Sequence, residues 1–251
     1  MINLINKILY KFDYRIKKIR PEYKSIDYLL KDKIKKNPII FDVGANKGQS
    51  IKRFNNIFKS PTIHAFEPIK SQYEIMVQEF KRNKKVYLNN YALGERKYFR
   101  RFNITKKTEN SSFLKLNLKT DWIKERSLKT NTSPKKYVVE KPKVKISTVD
   151  KYFIEKKIRN IDLLKIDTQG YEEKVLEGSI KSLKNNKITA IEVEIMFDNN
   201  YEKNSSFYNI EKIILPYNFR LVAIQLINNN VFKGLGFSAN AIYFNQRKIK
   251  I

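Results

Sequence analysis

The stretch Ile39-Ile40-Phe41-Asp42-Val43-Gly44-Ala45-Asn46-Lys47-Gly48-Gln49-Ser50 sets an acid and two glycines at the end of an apolar run. Ile63-His64-Ala65-Phe66-Glu67-Pro68 follows, with Glu67 23 residues after Gly44. A buried strand ending in a glycine turn, a helix, and a second strand ending in an acid form the layout of a nucleoside-binding βαβ unit. The glycines let the backbone approach a ligand. The acid can accept both ribose hydroxyls. The glycines are spaced G-x-x-x-G rather than G-x-G-x-x-G, and Asp42 precedes them, which repels a pyrophosphate and suits a cationic, amino-bearing ligand. No G-K-[ST] follows at P-loop spacing. S-Adenosylmethionine, with its sulfonium and ammonium, fits these residues better than NAD. The plain alternative is a strand–turn–helix with no ligand.

Acids also stand at the ends of two later apolar runs. In an open α/β sheet the ligand lies beyond the carboxyl ends of the strands, where Glu67, Asp167 and Glu194 fall. Lys165 and Asp167 are two apart on one strand and share a face. Charges in an apolar strand are expensive unless paired. One reading is therefore a buried ion pair holding the Gly170 turn. The other places Asp167 beside a reacting hydroxyl as general base or orienting group, with Glu194 able to serve the same role. Methyl transfer from a sulfonium needs alignment more than a push, and positioning alone is worth about 7–11 kcal/mol. His64, the single histidine, sits before the end of its strand, where a core or edge role suits it better than that of a base. Asp167, Glu194 and Asp198-Asn199 leave magnesium open without demanding it. Ser111 and Ser112 either reach over the cofactor or cap the next helix.

The elements that must position these residues follow from periodicity. Strands are expected at about 39–43, 62–67 and 86–91, with helices at about 48–58 and 70–82. Residues 98–104 alternate weakly, and Val138–Ile146 alternates again and can pair with them. Between them, 105–136 reads as a polar, mobile loop with a short helix around Trp122, shaping the acceptor pocket. Thr148 caps a helix. Ile161–Asp167 is a buried strand, 171–184 a helix, Ile188–Ile195 a strand, and 206–215 a helix ending at Pro216. Phe219–Ile227 and Asn240–Asn245 close the chain as strands with no helix between them, so the last runs antiparallel. The fold class is α/β, a seven-stranded, mostly parallel Rossmann-like sheet with an antiparallel last strand, in the methyltransferase variant. The expected organisation is an N-terminal helical extension at 1–37 and a catalytic domain at 38–251, with a polar insertion at about 95–147.

The chain has 251 residues, enough for one domain with a substantial core. The absence of cysteine excludes disulfides, thiolate metal sites and the nucleophile that pyrimidine C5 methylation requires. The formal charge of +27 invites nucleic acid, but 41 of the 52 basic residues are Lys and 11 are Arg, the residue favoured for phosphate forks. An anionic glycan, a nucleotide-linked sugar or a membrane surface fits the charge equally well. Ile5, Ile8, Leu9, Phe12, Ile16 and Ile19 recur at helical spacing among basic residues. Such a helix either lies on an anionic membrane or packs on protein. No spanning helix or signal core is visible, so a cytoplasmic location is the expectation.

Phe41-Asp42-Val43-Gly44-Ala45-Asn46-Lys47-Gly48, Phe66-Glu67-Pro68, Asn90-Tyr91-Ala92-Leu93-Gly94, Ser111-Ser112, Thr148-Val149-Asp150 and Leu163-Leu164-Lys165-Ile166-Asp167-Thr168-Gln169-Gly170-Tyr171-Glu172 come in order. Together with Glu194 and Tyr201 this series resembles the FkbM-type methyltransferases over about 39–245. The resemblance implies S-adenosylmethionine-dependent O-methylation, often of sugars in glycans or natural products, as in polysaccharide biosynthesis. It implies that Asp42, Gly44, Ala45, Asn46, Gly48, Glu67 and Pro68 hold the cofactor, that Ala92 flanks the adenine, and that Lys165, Asp167 and Glu194 line the reaction centre. Asn240 departs from the family, which often carries an acid there. The rival readings are an RNA methyltransferase, against which the missing cysteine and the absence of an Asn-Pro-Pro-Tyr-like motif weigh, and a non-catalytic scaffold at a membrane or glycan surface.

Overall fold

In the computed structural model, residues 5–6, 9–12, 25–227 and 238–249 are described. The first elements follow the expected alternation: helix α1 (Ile26–Lys33), strand β1 (Ile39–Val43), helix α2 (Gln49–Ile57), strand β2 (Thr62–Phe66), helix α3 (Lys70–Phe80) and strand β3 (Val86–Asn89). Then come β4 (Ala92–Leu93), β5 (Tyr98–Arg101), β6 (Ile104–Thr105), α4 (Asp121–Lys129), β7 (Val138–Glu140), β8 (Lys143–Ser147) and α5 (Val149–Glu155). The chain continues with β9 (Ile161–Ile166), α6 (Glu172–Glu177), α7 (Ile180–Lys184), β10 (Ile188–Met196), α8 (Phe207–Ile214), β11 (Phe219–Leu226) and β12 (Ser238–Asn245).

Seven strands form one sheet in the order β11-β12-β10-β9-β1-β2-β3. β1, β2, β3, β9 and β10 run parallel, and β12 lies antiparallel between β10 and β11. Side chains alternate across the sheet. Phe41, Leu164 and Ile191 enter a core on one face, and Ile40, Leu163 and Ala190 enter the core on the other. Both faces are covered, which is why these strands read as continuous apolar runs.

Three expectations need revision. Of the extension at 1–37, residues 1–4, 7–8 and 13–24 lie outside the described residues, so the long amphipathic helix is not tested there. Its end, α1, is capped by the Ser25 side chain and buries Ile26 and Leu30, with Ile34 after it, in the same core as Phe54 and Phe58. A boundary at 37 therefore divides a packed unit. The helix expected at 171–184 is two helices broken at Gly178-Ser179. A Cβ on Gly178 would lie 2.0 Å from the Gly94 carbonyl oxygen, so the break lets two backbones meet. The segment at 105–136 is a small folded layer rather than an open loop. Leu116, Trp122 and Ile123 pack with Tyr137, Met196 and Tyr201 in a core of their own. β8 pairs antiparallel with β5, as expected, and also parallel with β4, which periodicity did not show because β4 has only two residues.

Candidate functional site

A cavity of about 370 Å³ opens at the carboxyl ends of β1, β2, β9 and β10, under the folded insertion. That is within the range of small-molecule sites. Its β1 end is the Gly44–Asn46 turn. Gly44 has φ +85°, and a Cβ there would stand 1.9 Å from the Asp167 carbonyl oxygen. Glycine is thus what lets the β1 and β9 turns touch. Asn46 also takes a left-handed φ of +48°, and its backbone N–H donates to Glu67 Oε2 at 2.8 Å. Ile69 N–H donates to Glu67 Oε1 at 2.7 Å. Burial pushes the Glu67 carboxyl up to about 7, against the pull of these two amides. Pro68, Ile69 and Ala92 wall the cavity beside it.

Two expected binding residues fall elsewhere. Asp42 is fully buried and does not line the cavity. Its carboxylate lies 3.3 Å from Lys165 Nζ, so its charge faces the protein's own ammonium. Gly48, with φ +84°, starts α2 outside the cavity wall, where a Cβ would meet the Phe80 ring at 2.4 Å. Ala45 does line the cavity.

Lys165, Asp167 and Glu194 are brought together in that wall. Lys165 Nζ reaches Asp42 at 3.3 Å, Asp167 Oδ2 at 3.4 Å and Ser50 Oγ at 3.4 Å. Gln169 Nε2 donates to both carboxylates, at 3.0 Å to Asp167 Oδ1 and 2.7 Å to Glu194 Oε2. The two carboxyl acceptors fix which way that amide points, and the Tyr201 hydroxyl, whose one proton faces both the Asn110 carbonyl at 2.9 Å and Gln169 Oε1 at 3.1 Å, stands on its oxygen side. Burial would raise Asp167, but Lys165 and the Gln169 bond hold it below the usual carboxylate range. Burial and the Asp167 charge push Glu194 well above that range. The two acids are thus pushed in opposite directions, Asp167 toward its ionised form and Glu194 toward its protonated form.

The turn carrying Asp167 and Gln169 is stapled from below. Glu172 Oε1 accepts from Thr168 N–H at 2.9 Å, Thr168 Oγ1 at 3.0 Å and Gly170 N–H at 3.1 Å. Ser112 Oγ donates to the Gln169 carbonyl at 2.8 Å, and Ser111 Oγ accepts from Thr105 N–H at 3.0 Å. Neither serine caps α4, whose N-cap is Thr120. Thr108 Oγ1 meets Asn46 Oδ1 at 3.3 Å, so the insertion closes onto the β1 turn. His64 stands apart as a core residue. Its Nδ1 is 2.9 Å from the Tyr152 hydroxyl, it stacks on Tyr87, and burial, aided by the Lys156 charge, lowers it to about 4. Of the residues that left magnesium open, Asp167 and Glu194 meet through Gln169, and among the described residues no group of three His, Cys, Asp or Glu could hold a metal ion. Gln169 is the participant that spacing missed. Its place between Asp167 and the Gly170 turn was the available signal.

The model of the methyltransferase FkbM domain matches residues 42–221. The chain belongs to the FkbM methyltransferase family. It is an S-adenosylmethionine-dependent methyltransferase and needs an acceptor for the methyl group. No protein of curated function matches the sequence. Among solved structures, an rRNA methylase from Streptococcus thermophilus is similar at 11% identity, covering 92% of this chain and 99% of that one, with TM-score 0.45. TrmK of M. capricolum, in complex with its cofactor product S-adenosylhomocysteine, is similar at 12% identity over 90% of this chain and 70% of that one, with TM-score 0.45. A precorrin-6y C5,15-methyltransferase from Geobacter metallireducens GS-15 gives 8% identity over 89% and 87%, with TM-score 0.42. Identities this low carry no acceptor to the FkbM chain.

Proposed function

We propose that this FkbM methyltransferase methylates a hydroxyl of a sugar, in a glycan or a glycosylated natural product. The observation that carries the reading is the Asp167–Gln169–Glu194 cluster in the cavity wall, where one amide bridges two acids whose surroundings push them in opposite directions. The cofactor supplies a methyl group on a sulfonium, and the chain's residues supply position and a base. Glu67, with both oxygens already fixed by backbone amides, keeps lone pairs for the ribose hydroxyls. Gly44, Ala45 and Asn46 offer backbone to the amino-acid part, and Pro68, Ile69 and Ala92 give the adenine an apolar slot. Asp167 accepts the hydroxyl proton late in the transfer, and Lys165 keeps it ionised until then. Glu194 holds its own proton and orients the pair through Gln169.

An RNA acceptor is the rival. The Lys-dominated charge and the lack of cysteine support the sugar reading. RNA binding whose log affinity falls steeply with log salt would favour the rival. No helix among the described residues is long and apolar enough to cross a membrane. A cytoplasmic setting, with the basic N-terminal residues against an anionic membrane, belongs to the proposal. Mass spectrometry of glycans from cells with the protein, without it, and with Asp167→Asn tests the reading. A sugar methyl ether present only with the unaltered protein is expected. Identical glycans in all three would overturn it.

A further inference from the structure

The cavity continues past the carboxylate pair toward β10 and β12, away from the Glu67 end. There its wall is made by Trp122, Arg126, Met196, Asn200 and Ser238. Trp122, Asn200 and Ser238 are 2%, 1% and 1% exposed. Trp122 Nε1, Arg126 Nε, both polar atoms of the Asn200 side chain and Ser238 Oγ are buried and have no hydrogen-bond partner among the described residues. Buried polar groups are nearly always paired, so four unpaired side chains at one end of one cavity need an explanation.

Arg126 stands out on its own helix. The neighbouring cations of α4 are matched, Lys124 with Asp121 and Lys129 with Glu125. Arg126 forms no ion pair among the described residues and lies over the Trp122 ring, 6.0 Å from its centroid. The Trp122 ring is 5.9 Å from that of Tyr201, whose hydroxyl lies 3.1 Å from Gln169 Oε1, the amide that bonds the two carboxyls. The unpaired groups are therefore one ring away from the transfer centre. Trp and Arg only donate, and Asn and Ser can donate, so the set asks for a ligand rich in acceptor oxygens.

We propose that Trp122, Arg126, Asn200 and Ser238 form the acceptor subsite, and that the acceptor is an anionic sugar whose carboxylate or phosphate sits on Arg126. This rests on the sugar-hydroxyl reading and narrows it. The guanidinium fork suits an oxyanion, and the indole N–H, the Asn200 amide and the Ser238 hydroxyl are the further donors of the subsite. Glu109 is the exposed acid on the same wall, and Asp167 and Glu194 lie toward the methyl end. The anionic group thus points to Arg126 and the hydroxyl to Asp167.

Calorimetry on protein saturated with S-adenosylhomocysteine tests this, with glucuronate, glucose 6-phosphate and glucose as probes. At least one anionic sugar should bind roughly tenfold or more tightly than glucose, the discrimination expected of a charged hydrogen-bonding partner. Arg126→Gln should abolish the preference with S-adenosylhomocysteine affinity and melting temperature unchanged, and Trp122→Phe should weaken the anionic sugar with S-adenosylhomocysteine affinity unchanged, though its lost core volume lowers the melting temperature. Which anion binds separates carboxylate from phosphate. Equal affinity for all three sugars, no binding by any, or a preference that survives Arg126→Gln overturns the subsite. A chain that takes up no S-adenosylhomocysteine, or that methylates RNA in place of any sugar, would instead sink the reading beneath it.

Discussion

Glu67 and Asp167 divide the work between holding and reacting, and their surroundings make the division testable. A carboxyl near pH 7 is half ionised, and only the ionised form accepts two hydroxyl donors. Burial puts Glu67 there. Donor affinity should therefore rise as pH increases from about 6 to about 8, with about half a proton released on binding at pH 7. Glu67→Gln should flatten that profile. Glu67→Ala should weaken binding by about 1.5–3 kcal/mol in calorimetry with S-adenosylmethionine, and an unchanged affinity would remove Glu67 from the ribose. Asp167 behaves differently. Lys165 already favours its ionised form, so it is ready as a base without a change of pH. Asp167→Asn should cut kcat roughly a hundredfold or more with little change in cofactor affinity. If kcat and thermal stability fell together, Asp167 would be a strut for the Gly170 turn.

The glycine turn after β1 is where element geometry and chemistry meet. Gly44→Ala would force a Cβ into the Asp167 carbonyl at a φ that L side chains avoid. It should cost about 3 kcal/mol of stability in denaturant unfolding and displace the β9 turn that carries Asp167. This contact also shows what the sequence could and could not reveal. The apolar runs, the two glycines and the acids at strand ends announced the parallel sheet and the place of the site, because strand burial and ligand approach act locally. Asp42 misled, because an acid before a glycine turn looks the same whether it meets a ligand or a lysine on the next strand. The register that pairs Asp42 with Lys165 is a long-range fact. Trp122, Arg126 and Asn200 were invisible as a group for the same reason. They lie on a helix and a loop whose meeting depends on the Tyr137–Tyr201 core, and polar loop composition does not encode such a meeting.

Across the whole molecule, charge is arranged as a row that runs from the partly exposed α1 inward to the reaction centre. Asp27 on α1 bonds Arg53 Nε on α2 at 2.7 Å, and Arg53 Nη1 bonds Glu192 on β10 at 2.5 Å. Glu192 stands opposite Lys165 in the sheet, which in turn stands opposite Asp42. The row is asymmetric. Glu192 is almost wholly buried, and its Oε2 has no hydrogen-bond partner among the described residues, while the Arg53 side chain is 28% exposed and has Asp27 as a second carboxylate. Losing Arg53 leaves a buried anion, whereas losing Glu192 leaves a cation that still has water and Asp27. Arg53→Met should therefore destabilise the fold by about 3 kcal/mol, and Glu192→Met by clearly less. Because the stranded charge and not the lost attraction dominates the first loss, adding Glu192→Met to Arg53→Met should recover most of it. Denaturant midpoints of the three variants check this, and a double variant less stable than Arg53→Met alone would show that the row stabilises through attraction instead.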